Sequence, residues 1–164
     1  MSAHFVLDQN FPILVTGLEW PPTLEATRLF DHASELTRDV EDWQLLLELS
    51  RRGGCDGFIT NDRHILTQAP EMYALSQTHI ALIVTQGVGH EPFRATGLVL
   101  VHIEEVAKRL DGKPYTFVLR PNARMEQRTP YDHLTRIAKL HNVHPSEVIA
   151  AERARIHQYL TENG

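Results

Sequence analysis

Short apolar runs recur along the chain, and each is bounded by polar or glycine-containing sequence. Residues 4–8, 57–60, 81–85 and 115–119 are such runs, and each has the length of a strand. Residues 25–31 alternate between polar and apolar positions well enough to form a further strand. A continuous apolar run is typical of a strand whose two faces are both covered. The pattern therefore predicts a sheet of five strands.

Segments with helical character lie between these runs. Residues 41–50 are rich in helix formers and are followed by two arginines and two glycines, which together form a helix stop. A helical stretch is predicted from about residue 63 with an interruption at Pro70, and another over residues 91–111. Pro12 predicts a helix directly after the first strand, because a first helical turn tolerates proline.

Alternation of strands and helices at this spacing favours a parallel sheet with helices on both faces. We therefore predict an α/β fold, a three-layer α/β/α sandwich with a mostly parallel sheet, for residues 1–119. A connector follows, and helix starts at Thr129 and His144 predict a helical extension over residues 120–164. A chain of 164 residues is long enough for one core and an appendage.

Charge is distributed unevenly over these two parts. Residues 1–112 hold 16 acidic and 8 basic side chains, whereas residues 113–164 hold 5 acidic and 8 basic ones. The basic residues of the extension include Arg120, Arg124 and Arg128, which could contact nucleic acid without reading its sequence. Charge asymmetry is equally typical of two solvated surfaces. The total of −5 argues against a chain that coats nucleic acid through a bulk positive field.

The pattern of apolar and polar residues over 137–148 resembles a helix-turn-helix, in which a second helix would enter the major groove of DNA. Helical hairpins that pack on a domain or pair two subunits are commoner. We expect a homodimer, and the sequence leaves open whether the extension binds nucleic acid, a partner protein or a second subunit.

Other residue types exclude several classes of protein. The single cysteine, Cys55, cannot form an internal disulfide, and the chain has no apolar run long enough for a membrane span. We therefore expect a cytoplasmic protein that is not bound to a membrane. His141 and His144 have a spacing suited to zinc, but no cysteine or obvious third ligand accompanies them. Residues 86–90 contain two glycines but not the pattern of a nucleotide-binding loop, and are interpreted as a turn.

Acidic residues follow two of the apolar runs. Asp8 ends the first run, and Asp62 comes directly after residues 57–60. Ligands of parallel sheets bind at the carboxyl ends of the strands, where an ionised carboxylate avoids the cost of burial in a dry core. Each aspartate taken alone could be only a helix cap.

A third acidic position opens the helix predicted over residues 41–50. Asp39, Glu41 and Asp42 cluster there, and acids in a first turn are stabilised by the helix dipole. Asp42 is our choice among them because it immediately precedes the apolar residues of the helix. Carboxylates gathered at one place repel each other until a cation relieves them, and Mg²⁺ and Mn²⁺ prefer such oxygen ligands.

Three motifs together resemble a known family: Leu7-Asp-Gln-Asn-Phe-Pro12, Asp42-Trp-Gln-Leu-Leu46 and Phe58-Ile-Thr-Asn-Asp62. They are similar to those of the PIN-like ribonucleases, especially the small bacterial group that opens with a Leu-Asp-Glu-Asn-Leu-Pro type of segment. The similarity covers roughly residues 5–110. It implies a metal-dependent endoribonuclease, commonly the toxin of a toxin–antitoxin pair, with RNA as substrate and an antitoxin protein as partner.

Carried over by position, the resemblance implies that Asp8, Asp42 and Asp62 bind Mg²⁺ or Mn²⁺ and are catalytic. Asn10 and Thr60 would support them. Arg63 and His64, beside Asp62, could assist a phosphate oxygen or the leaving group, although surface residues at a helix start are more often bystanders. The implied reaction is hydrolysis of a phosphodiester by a cation-activated water.

The chain departs from the family pattern at two places. Gln9 stands where the related segment often has glutamate, and residues 81–86 lack the fourth carboxylate that many PIN domains place there. One cation is therefore favoured over two, with Asp31 as a substitute acid from another strand end. The alternative is a PIN-like scaffold without activity that acts as a binding or dimerisation module. A phosphotransfer enzyme with Asp8 as nucleophile is disfavoured, because position 10 is asparagine.

Overall fold

The computed structural model of the chain describes residues 2–11 and 20–164. The strands are β1 (Ala3–Leu7), β2 (Leu24–Arg28), β3 (Gly57–Thr60), β4 (Ala81–Thr85), β5 (Thr116–Leu119) and β6 (Glu126–Arg128). The α-helices are α1 (Leu29–Ala33), α2 (Asp42–Arg52), α3 (Ala69–Ser76), α4 (Pro92–Arg109), α5 (Pro130–Leu140) and α6 (Pro145–Asn163). Two 3₁₀ helices cover Ser34–Thr37 and Arg63–Thr67. The helix predicted from Pro12 lies outside the described residues.

The strands form one sheet in the order β2-β1-β3-β4-β5-β6. The first five are parallel to their neighbours, and only β6 runs antiparallel, beside β5. The predicted α/β class and mostly parallel sheet are therefore confirmed. Because the parallel strands share one direction, their carboxyl ends meet at the same edge of the sheet.

Helices cover both faces of this sheet. Successive side chains of a strand point to opposite faces, so Val6 packs in one core while Phe5 and Leu7 pack in the other. Buried side chains of α2, α3, α5 and α6 complete the first core, and those of α4 contribute to the second. The arrangement is compatible with three layers, and it explains why the central strands are continuous apolar runs.

Three local predictions are wrong in detail. The strand predicted over residues 25–31 ends at Arg28, and Leu29 begins a helix. Pro70 does not interrupt a helix but lies in the first turn of α3, where no intrahelical partner for its missing N–H is needed. Strand β6 was not predicted, because its sequence Glu-Gln-Arg has no apolar residue and it lies at the edge of the sheet.

The C-terminal extension contains the two predicted helices, and both pack on the rest of the chain. Leu134 of α5 and Ile156 of α6 are buried in the core that contains Trp43 of α2. The rings of Trp43 and Tyr159 meet edge to face with centroids 5.1 Å apart. Residues 120–164 therefore share a core with the sheet, while their separation as a second unit at residue 119 stays a prediction.

The structure also bears on membrane spans and on the single cysteine. No α-helix in the described part of the chain has the length and apolar character needed to cross a membrane. Cys55 is buried, and burial raises the pKa of its thiol to about 12. Its thiolate is therefore negligible at neutral pH, as a structural cysteine requires.

His133 is a polar group inside the junction between α5 and the sheet. It is buried, and its Nε2 lies 2.7 Å from Thr116 Oγ1 of β5. Burial, followed by the nearby charges of Arg136 and Arg128, lowers the pKa of His133 to about 4. The imidazole is therefore neutral in the folded protein at pH 7.

We predict that His133 makes the protein less stable in acid. In the unfolded chain its pKa is about 6.5, so the unfolded state takes up a proton first as the pH falls. The part of the unfolding free energy that depends on neutral His133 is fully present above pH 6.5. It is lost as the pH falls to about 4, and the loss amounts to about 3 kcal/mol. Urea denaturation at several pH values in this window, compared between wild type and His133→Gln, measures the difference in slope. His157→Gln on the exposed face of α6 is the control. Equal slopes for wild type and His133→Gln would contradict the prediction.

Candidate functional site

A cavity of about 620 Å³ opens at the carboxyl edge of the sheet. Residues that follow β1, β3 and β4 line it together with the start of α2. The residues that the family resemblance assigned to the site lie along its wall: Asp8, Asn10, Asp42, Thr60, Asp62, Arg63 and His64. The structure thus brings together residues that are more than fifty positions apart in the chain.

Asp8 is fixed at the end of β1. Its backbone N–H donates to the Ile59 carbonyl at 2.8 Å, which continues the pairing with β3 for one more residue. Its carboxylate accepts a hydrogen bond from Thr60 Oγ1 at 2.8 Å and further bonds from the backbone of Gln9 and Asn10. Burial nevertheless raises the pKa of Asp8, against these hydrogen bonds and with a smaller contribution from Asp62.

Asp62 has a structural role as well as a place in the cavity. Its Oδ1 accepts the backbone N–H of His64 at 2.9 Å, so the aspartate caps the 3₁₀ helix that follows β3. Its own N–H donates to Thr60 Oγ1 at 3.1 Å. The Thr60 hydroxyl therefore connects the two strand ends, since it donates to Asp8 and accepts from Asp62.

Asp42 is the first residue of α2, but the helix does not use it as its cap. Glu41 and Gln44 form a capping box, in which the Glu41 N–H donates to Gln44 Oε1 at 3.0 Å. Asp42 is left to face the cavity, which neither Asp39 nor Glu41 lines. Although much of its side chain is exposed, desolvation raises the pKa of Asp42, and the charges of Asp8 and Asp62 raise it further.

The donor atoms of this cavity suit a hard cation. The three aspartates offer only oxygen, and their repulsion favours a positive charge or a proton among them. Thr85, at the end of β4, lines the same cavity, and its buried hydroxyl has no hydrogen-bond partner among the described residues. Buried polar groups are nearly always satisfied, so this hydroxyl fits a water or ligand oxygen in the cavity.

The aspartates do not form a closed ligand shell. Within residues 2–11 and 20–164, no group of three or more Asp, Glu, His or Cys side chains is arranged so that it could hold a metal ion. A Mg²⁺ ion bound by one or two carboxylates would need water and substrate phosphate to complete its octahedron, which is its usual state in proteins that act on phosphates.

Several cavity residues were missed from the sequence. Thr85 ends β4 and Gln86 follows it, as Asp8 follows β1, but neutral side chains at a strand end carry little signal. His90 also lines the cavity, with Asn61 Nδ2 at 3.1 Å from its Nδ1. The glycine-containing segment of residues 86–90 is a turn, as predicted, with Gly87 at φ 77° and Gly89 at φ 57°.

Two other sequence candidates fall elsewhere. Asp31 lies in α1 rather than at a strand end, and it does not line the cavity. His144 caps α6, where its Nδ1 accepts the Ser146 N–H at 3.2 Å. Neither residue therefore joins the acidic site.

Comparison with known proteins gives no relative. No family model, no curated protein and no solved structure matches the chain. The site must therefore be judged on its own residues and geometry.

We predict that Thr60→Val raises the pKa of Asp8, because the lost hydroxyl stabilises the ionised carboxylate. The same change should lower the unfolding free energy by about 1 kcal/mol, since two hydrogen bonds lose their partner. Carboxyl-carbon NMR titration and urea denaturation measure the two effects.

Thr85→Val is the matched control for this substitution. Both threonines are buried at strand ends, with 1% and 2% of their surface exposed, but only Thr60 is hydrogen-bonded to an aspartate. Thr85→Val should leave the pKa of Asp8 unchanged and cost no stability. Equal effects of the two substitutions would show that the Thr60 bond does not control Asp8.

Proposed function

We propose that the chain is a metal-dependent endoribonuclease with a PIN-like fold, which hydrolyses phosphodiester bonds in RNA. One observation carries the proposal. Asp8, Asp42 and Asp62 come from three separate elements and line one cavity at the carboxyl edge of a parallel sheet, where their charges act on each other. This edge is the usual ligand site of such sheets.

Mg²⁺ or Mn²⁺, when bound, would lower the pKa of a water and neutralise charge on the scissile phosphate. The residues of the chain do the positioning. Thr60 and the backbone of Asn10 hold the Asp8 carboxylate in one orientation, and His64 N–H holds that of Asp62. Arg63 and the His64 ring are exposed at the wall of the cavity, where they could contact phosphate oxygens.

The remaining parts of the proposal rest on the sequence motifs. RNA as the substrate, an antitoxin protein as partner and a role as toxin follow from the resemblance to PIN-like ribonucleases. A homodimer and a cytoplasmic location are further expectations from the sequence. Each of them stays a prediction.

A second candidate is a PIN-like scaffold that binds without catalysis. It is favoured by the lack of a closed set of metal ligands among the described residues and by the neutral pair Thr85 and Gln86 at the end of β4. The two candidates differ in their need for the carboxylates. A scaffold would keep its cellular effect after Asp8 and Asp62 are both changed to asparagine, whereas a nuclease would lose it.

We predict that the purified protein cleaves RNA with Mn²⁺ or Mg²⁺ and that chelation by EDTA stops the reaction. Asp8→Asn and Asp62→Asn should each lower the rate about 100-fold or more, because each removes a charged oxygen ligand that the chemistry needs. Asp42→Asn should act in the same direction. The measurement is single-turnover cleavage of an end-labelled RNA.

Asp31→Asn serves as the control for these substitutions. It removes the same charge from an exposed helix residue outside the cavity and should leave the rate unchanged. Cleavage by all variants at the wild-type rate would point to a contaminating nuclease and contradict the proposal. Wild-type protein that cleaves no RNA with either metal would favour the scaffold.

A further inference from the structure

A second groove adjoins the carboxylate cavity. It has a volume of about 400 Å³ and lies between the carboxyl edge of the sheet and helix α5 of the extension. Arg63, His64 and Gln86 line both the groove and the cavity. The two are therefore neighbouring parts of one surface, and a long ligand can occupy both.

The groove is basic, in contrast to the acidic cavity. Among the described residues, Arg63, Arg120 and Arg136 line it, and Glu126 is the one acidic residue. Glu126 forms ion pairs with Arg120 at 3.6 Å and with Arg128 at 3.4 Å. Arg63 and Arg136 form no ion pair within 4.0 Å with any described residue, so their guanidinium groups can bind a ligand, although the charge of Arg136 also acts on Glu126 and His133.

The positions of these residues follow from the order of the strands. Asp8 follows β1, Asp62 follows β3, Gln86 follows β4 and Arg120 follows β5. Gln86 Oε1 accepts a hydrogen bond from Arg120 Nε at 3.0 Å, which holds the guanidinium at this edge. Adjacent strands are about 4.8 Å apart, so Arg120 stands roughly 10 Å along the edge from Asp62. The edge changes from acidic to basic over that distance.

Apolar side chains also line the groove. Leu66, Val118 and Ile137 are buried, whereas Leu140 is 80% exposed. An exposed leucine in a groove lined by arginines matches a ligand that alternates flat apolar groups with negative charges. A single nucleic acid strand has this composition, because its bases are separated from its phosphates.

We propose that this groove binds the phosphodiester backbone of a single-stranded RNA beside the scissile bond, so that the C-terminal extension is part of the substrate-binding surface. The proposal rests on the proposed function for the identity of the substrate. Arg63 and Arg136 would neutralise flanking phosphates, and arginine suits phosphate through paired hydrogen bonds.

Binding in EDTA tests this assignment without any cleavage. The probe is a fluorescent single-stranded RNA of about ten nucleotides, titrated with the full chain at several salt concentrations. Arg136→Gln should weaken binding about tenfold at low salt. It should also make the slope of log affinity against log salt shallower by about 0.7, the share of one phosphate contact in a single strand.

Two further variants make this result specific. Lys108→Gln removes one exposed positive charge from the last turn of α4, outside the groove, and should change neither affinity nor slope. Arg136→Lys keeps the charge and should restore the slope. Arg136 is exposed on α5, so all three variants should melt at the wild-type temperature.

The inference is overturned if Arg136→Gln and Lys108→Gln bind alike, or if wild-type protein binds no RNA in EDTA. It is also overturned if an oligoglutamate of equal charge binds more tightly than RNA and loses affinity with Arg136→Gln, because the groove then serves a protein partner. A protein that binds RNA through Arg136 but cleaves none with Mn²⁺ or Mg²⁺ would refute the nuclease and leave the groove assignment standing.

Discussion

Parallel pairing of β1 to β5 decides where charge can lie in this protein. Both faces of the central strands β3, β4 and β5 are packed, so an ionised group within them would lie in a dry core. The polar residues that follow the strands are released at one edge, where water or a ligand can reach them. Asp8, Asp62, Gln86 and Arg120 all occupy this edge because each comes directly after a strand or one residue later. The acidic cavity and the basic groove therefore both result from the order and direction of the strands, which place them at the same edge of the sheet.

Hydrogen bonds and burial oppose each other within the cavity. The bonds from Thr60 and from the backbone favour ionised Asp8, but desolvation is stronger and the charge of Asp62 adds to it, so the pKa of Asp8 is raised. Asp8 and Asp42 are therefore closer to their neutral form than free aspartate would be. The free-energy cost of ionising these buried carboxylates is relieved when a cation or a proton binds. Carboxylates with such perturbed pKa values are typical of functional sites.

The sequence predicted those parts of the fold that depend on two-sided burial. Central strands such as β4 are unbroken apolar runs because both of their faces are packed, and this makes them visible without a structure. Strand β6 carries no such signal, since it pairs at the edge through its backbone alone. Asp8 and Asp62 were predictable from their position after a strand. Thr85 was not predictable, because a neutral hydroxyl at a strand end is common and does not indicate a binding site. The groove around Arg136 was not predictable either, because it forms only when α5 packs on the sheet.

The central claim is that the three aspartates form a cation site. Crystals soaked in Mn²⁺ test it directly, because the anomalous signal of manganese locates the ion without reference to the protein. We predict one peak in the cavity, bound by one or two carboxylates of the set Asp8, Asp42 and Asp62 at about 2.1 Å, with water completing the shell. The peak should be lost in crystals of Asp8→Asn. Well-diffracting crystals with no anomalous peak at this edge, or with manganese bound only elsewhere, would contradict the claim.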